Sequence, residues 1–153
     1  ALDNGSPHSK EISHHKGLWE MPVYPFVIPE YLQEKEKAGE RSIRGLDYDV
    51  WNSKELTAPE FTDILKYTLD QRMKGNRTPL LVGLHSDIYS TQKDSSYSST
   101  KNARVRQLAI ENFIEYAITQ YPDEVRIVRA KDIIEWMRDP VGLGGGTEVS
   151  LMK

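Results

Sequence analysis

Between residues 57 and 138 the chain alternates helix-like and strand-like patterns, and this alternation restricts its fold more than any other feature. Thr57-Ala58-Pro59-Glu60 has the form of a capping box, with Thr57 as N-cap and Glu60 three residues on. Phe61, Ile64, Leu65, Leu69 and Met73 follow at helical spacing until Gly75 closes the helix. Leu80-Leu81-Val82-Gly83-Leu84 is then an apolar run, entered through Thr78-Pro79 and left through His85-Ser86-Asp87, which suits a buried strand. A second helix is predicted over 101–120, with Val105, Leu108, Ala109, Phe113, Ala117 and Ile118 on one face and Tyr121-Pro122-Asp123 ending it. Val125 to Val128 reads as another strand. Ala130 to Arg138 reads as a helix buried through Ile133, Ile134 and Met137, with Trp136 in the core. Helices and strands at this spacing describe parallel βα units, so the fold class is α/β.

The first half is less regular. Residues 1–16 are polar and turn-rich, and their histidines, His8, His14 and His15, read as a solvated loop rather than a metal site. A short strand is predicted at 18–21; Pro22 and Pro25 then exclude a helix and a central strand. Pro29 to Gly39 reads as a short, charged surface helix. The stretch from 144 to 153 opens with three glycines and reads as a disordered tail or linker. It follows a helix instead of opening one, so it is not a phosphate-binding loop.

The 153 residues allow one domain, or part of a larger one. A net charge of −3 gives no basic footprint for nucleic acid or a membrane surface. The apolar runs fall far short of the roughly 20 residues that span a bilayer. With no cysteine, disulfides and thiolate metal sites are excluded.

In an α/β sheet, chemistry gathers where strands end, because the strand fixes the backbone and the loop opens to substrate. His85 stands at such a point. An imidazole there exchanges a proton near neutral pH, which suits a general acid or base. The plainer reading is a histidine that only hydrogen-bonds its own loop.

Several segments, in order, resemble polysaccharide deacetylases of the NodB-homology type, in particular the chitin and chitooligosaccharide deacetylase branch. Leu2-Asp3-Asn4-Gly5-Ser6-Pro7 looks like the turn that follows the middle of that domain. His15-Lys16-Gly17-Leu18-Trp19-Glu20-Met21-Pro22-Val23 resembles the family's H-P-G-L-W-E-I-P segment, with Lys16 in place of proline. Gly75-Asn76-Arg77-Thr78-Pro79 running into Leu84-His85 is similar to its G-N-R-A-P run and last catalytic motif. Asp132-Ile133-Ile134-Glu135-Trp136-Met137-Arg138-Asp139-Pro140 resembles its closing L-I-E-W-M-x-x-P helix. The resemblance covers residues 1–143 and implies the C-terminal half of a distorted (β/α) barrel.

The motifs of that family's N-terminal half are absent. There is no T-F-D-D, no H-x-x-x-H and no R-x-P-Y, and the chain contains no Asp-Asp pair. The resemblance therefore implies metal-dependent hydrolysis of N-acetyl groups from chitin-like polysaccharide or oligosaccharide. The zinc-type divalent metal and the catalytic base would be held by residues outside this chain. A partner is implied too, namely the N-terminal half of the same domain as a separate or cleaved polypeptide, because an open half-barrel leaves Leu80–Leu84 and Val125–Val128 with unpaired edges. The residues do not identify the location; the resemblance favours a secreted or cell-envelope one. Two rivals use the same barrel: a non-catalytic carbohydrate-binding relative, and an amidohydrolase acting on peptidoglycan or a non-sugar amide.

Within the resemblance, His85 takes the place of the histidine that protonates the departing amine. Gly45-Leu46-Asp47-Tyr48-Asp49-Val50-Trp51 loosely resembles the family's fourth motif, which makes Asp47 the carboxylate that orients His85, with Tyr48 or Trp51 shielding the site. Asp87, two residues from His85, competes for that role, and Asp47 and Asp49 also fit ordinary solvated loop acids. Val82 stands where the family lines the acetyl methyl group, and equally reads as core. Trp19 suits stacking on a sugar ring or simple burial. None of these residues is expected to ligate a metal.

Overall fold

The computed structural model describes Gly17, Met21 and residues 23–33, 41–43, 47–92 and 100–140. Within these the chain runs through strand β1 (Phe26–Val27), helix α1 (Glu30–Gln33), strand β2 (Ser42–Ile43), a wide π-type turn (Asp49–Ser53) and helices α2 (Ala58–Lys74), α3 (Thr100–Gln120) and α4 (Ala130–Arg138). Helices dominate the described residues, and the sheet is one antiparallel pair in which Phe26 faces Ile43.

Helix α2 is the centre of the packing. Its capping box forms as the sequence predicts: the Thr57 side chain accepts from the Glu60 backbone N–H, and the Glu60 carboxylate accepts from the Thr57 backbone N–H at 2.9 Å. The helical spacing places Phe61, Ile64 and Leu65 on one fully buried face, where they meet Phe26, Ile28, Ile43 and Val50 from the first half of the chain. On the other side α3 approaches through Ala109, Phe113 and Ala117, the two alanines letting the helices come close. The Thr62 hydroxyl, buried at this crossing, donates within hydrogen-bond reach of both Ala58 O (3.0 Å) and Ala109 O (3.1 Å). Strand β1 is tied to α2 as well, since Val27 N–H donates to Thr68 Oγ1 at 2.9 Å.

The two long helical expectations agree with the structure, and α4 occupies its predicted span. Leu80–Leu84 and Val125–Val128 do not form strands. A strand is held by the hydrogen bonds of its neighbour, and no segment among the described residues pairs with either run. Leu80, Val82 and Val125 instead pack half-buried against the core, while Leu84, Ile127 and Val128 stay exposed. Trp136 also departs from the core reading, being 46% exposed. With Ile133 and Met137 it lines a shallow groove of about 240 Å³ against the loop Asn76–Pro79. The surface helix predicted at 29–39 is seen only over Glu30–Gln33, and the rest lies outside the described residues. Also outside them are the strand positions 18–20, His8, His14, His15 and the glycine-rich stretch at 144–153.

Candidate active site around His85 and Asp47

Two segments far apart in sequence build the site. The chain turns helical at Asp47 and Tyr48 and continues into the π-type turn. Such turns are rare, and many sit at functional sites. Val50 is fully buried on this turn, and Trp51 packs edge-on against Phe61 at 5.2 Å between ring centroids. That packing brings Asp47, three and four residues earlier, to the same inner face, where its side chain is fully buried. The second segment is Leu80–Leu84. Val82 packs on the core, and the chain then emerges at His85 and enters a tight turn closed by Ile88 N–H donating to His85 O at 3.1 Å.

His85 and Asp47 meet there twice. The His85 backbone N–H donates to Asp47 Oδ2 at 2.9 Å, and His85 Nδ1 lies 2.6 Å from Asp47 Oδ1. An ionised carboxylate only accepts, so Nδ1 carries the hydrogen and Nε2 is the nitrogen left for chemistry. The imidazole side chain is 46% exposed while the carboxylate behind it is 0% exposed. The proton affinity of His85 is raised above the ordinary histidine value, first by the hydrogen bond to Asp47, then by the charge of Asp47, with a smaller contribution from the charge of Asp87. A short, charge-assisted bond to a buried carboxylate gives an imidazolium fixed in orientation with one face toward solvent.

Asp47, not Asp87, is therefore the carboxylate that orients His85. Asp49 turns elsewhere, accepting from Ser53 Oγ at 3.1 Å. Tyr48, 49% exposed, sets its ring edge-on to His85 at 6.4 Å between centroids. Trp51, partly buried, has three protein partners: its indole N–H donates to Tyr89 Oη at 3.1 Å, its ring meets Phe61, and the Arg106 guanidinium lies over it at 5.5 Å. Trp19 lies outside the described residues.

Three residues near the site carry no sequence motif. The turn after His85 is pinned to α3 by Arg106 Nη1, which donates to Ile88 O at 3.2 Å, and by Gln107 Nε2, which donates to Tyr89 O at 2.8 Å. Burial holds the Tyr89 phenol protonated far into alkaline pH, and the neighbouring Asp47 carboxylate adds to this. The hint in the sequence is an apolar-aromatic pair, Ile88-Tyr89, directly after the polar turn His85-Ser86-Asp87.

Among the described residues no group of three or more His, Asp or Glu side chains is placed to hold a metal ion. No helix among them is long and apolar enough to cross a membrane. Comparison of the chain with protein-family models, with curated proteins and with solved structures finds no match.

Proposed function

We propose that this chain is the C-terminal half of a polysaccharide deacetylase barrel and supplies the general acid for removal of N-acetyl groups from chitin-like oligosaccharides. The observation that carries the reading is the pair His85–Asp47, with Nδ1 and Oδ1 2.6 Å apart, the carboxylate buried and the imidazole open to solvent. The ordered sequence resemblance over residues 1–143 supports it independently.

Cleaving an acetamide leaves an amine that cannot depart as an anion, so a proton must reach its nitrogen as the C–N bond breaks. His85 Nε2, the ring nitrogen not bonded to Asp47 on a half-exposed side chain, delivers that proton. Asp47 holds the ring in one tautomer and stabilises its charged form, so that the acid is loaded near neutral pH. Tyr48 forms a half-exposed aromatic edge beside the imidazole, suited to the apolar face of a sugar ring or to the acetyl methyl group. The metal and the base belong to an N-terminal half carrying T-F-D-D and H-x-x-x-H, in the same gene product or in a partner chain.

The test is acetate release from chitin oligosaccharides in the presence of zinc. The 153-residue chain alone is expected to release none, and its assembly with a half bearing those motifs is expected to turn over. Release by the purified chain with no second polypeptide contradicts the division of labour. An inert assembly that still binds the sugar favours a carbohydrate-binding relative.

A further inference from the structure

His85 and Asp47 belong to segments 38 residues apart, and Nδ1 stays on Oδ1 only while those segments keep their register. Arg106 reaches both. Helix α3 carries it between Ala103 and Ala109, each 1% exposed and one turn to either side on the same face. Ala109 is itself fixed, because its carbonyl accepts the Thr62 hydroxyl of α2 at 3.1 Å. A row of buried small residues is an unusual place for a charged side chain, which stays there only where its donors are satisfied. Arg106 Nη1 donates to Ile88 O at 3.2 Å, and Ile88 N–H closes the turn back onto His85 O at 3.1 Å. The same guanidinium lies over the ring of Trp51, on the turn that follows Asp47, at 5.5 Å. Trp51 in turn bonds the His85 segment through Tyr89 Oη at 3.1 Å.

We propose that Arg106 is a positioning residue for the His85–Asp47 pair: its guanidinium grips the turn after His85 and the aromatic ring after Asp47 at once, and so keeps the imidazole on its carboxylate. Arginine suits this task and lysine does not. The planar fork of a guanidinium donates in fixed directions and rests on an aromatic ring, whereas an ammonium is a compact, strongly hydrated point charge. Gln107, the next residue of α3, donates to Tyr89 O at 2.8 Å, so α3 holds two successive carbonyls of the same segment. The charged and titratable groups around this clamp come from each segment it joins. Asp47 and Asp87 act on His85, Asp47 and Arg106 act on the Tyr89 phenol, and Tyr48 sets its ring edge against the imidazole. The catalytic consequence rests on the deacetylase reading, whereas the coupling of Arg106 to the protonation of His85 does not.

Proton NMR titration of the histidine ring signals in the 153-residue chain tests the coupling, with the His85 signal assigned as the one lost in His85→Ala. The sign of the change separates two effects. Deleting a nearby positive charge raises a histidine's midpoint, whereas loosening His85 from Asp47 lowers it. In Arg106→Met the His85 midpoint is expected to fall, by more than half of the fall caused by Asp47→Asn. With both substitutions together it is expected to fall no further than with Asp47→Asn alone, and a further fall there means that Arg106 acts by another route and overturns the proposal. An arginine that only stabilises α3 lowers the melting temperature and leaves the midpoint in place; that result, or a raised midpoint, also overturns it. If Arg106→Met does not fold, Arg106→Lys decides. It keeps the charge, its His85 midpoint is expected to fall, and an unmoved or raised one overturns the proposal. In the assembled enzyme Arg106→Lys is expected to lower kcat by about 10-fold to 10²-fold, the order that a small misplacement costs, with KM little changed. Absence of deacetylation by the assembled wild type counts against the deacetylase reading, while the NMR midpoints decide on Arg106.

Discussion

His85 holds its proton more tightly in the folded chain than in the unfolded one, and the sign of the resulting pH dependence is fixed. A histidine whose proton affinity rises on folding stabilises the fold fully below its unfolded value, near 6.5, and loses that contribution as pH climbs through the higher folded value. Asp47→Asn removes the cause. The difference in melting temperature between wild type and Asp47→Asn is therefore expected to be larger near pH 6 than near pH 9, by thermal melts at both. Equal differences contradict the coupling. In the assembled enzyme the same substitution weakens the imidazolium, so the alkaline limb of the pH–rate profile should move down, with a smaller loss of kcat than removal of His85 itself. The place of His85 at the end of an apolar run is readable from the chain. The partnership with Asp47 is not readable from spacing, since 38 residues separate the two, and only the resemblance of the 45–51 segment to a family motif suggests it. The bond from the Trp51 indole to Tyr89 Oη escapes altogether, because it joins segments 38 residues apart.

At the scale of elements, local signals decided what could be read. The capping box at Thr57, the 3.6-residue apolar spacing through α2 and the stop at Tyr121 each act within a few residues, so α2, α3 and α4 follow from the sequence. Thr57→Ala removes an N-cap whose bonds to Glu60 are formed in the structure. It is expected to lower stability by about 1 kcal/mol in urea unfolding, and no measurable change would mean that the packing of Phe61 alone fixes the helix start. Strands behave differently. Leu80–Leu84 has the composition of a strand, but a ladder needs a neighbour, and among the described residues none pairs with it. The helical spacing of Trp136 with Ile133 and Met137 predicts core, yet Trp136 is 46% exposed and the three line a groove with the loop Asn76–Pro79. Amphipathic spacing identifies an apolar face and says nothing of whether the rest of the chain reaches it.

For the whole molecule, the same unpaired runs carry the proposed assembly. Leu84, Ile127 and Val128 expose apolar surface at segments whose composition suits inner strands. A half-barrel supplying neighbouring strands would bury them. Its addition is expected to raise the melting temperature of the chain and to protect the amides of 80–84 and 125–128 from hydrogen exchange, with little change in α2. Protection confined to the surface of α3 would place the partner elsewhere and remove the barrel from the account.

The central claim is that His85 acts on the substrate rather than on the fold, and kcat and melting temperature measured on one preparation of assembled His85→Ala enzyme test it most directly. The account predicts a fall in kcat of roughly 10²–10⁴-fold, the range for a general acid–base group. It also predicts little change in substrate affinity, because the proton transfer matters only as the C–N bond breaks. Metal content should stay the same, and the melting temperature should drop only by what the half-exposed ring contributes through Asp47. A preparation that melts early and yet turns over normally per folded molecule would contradict it.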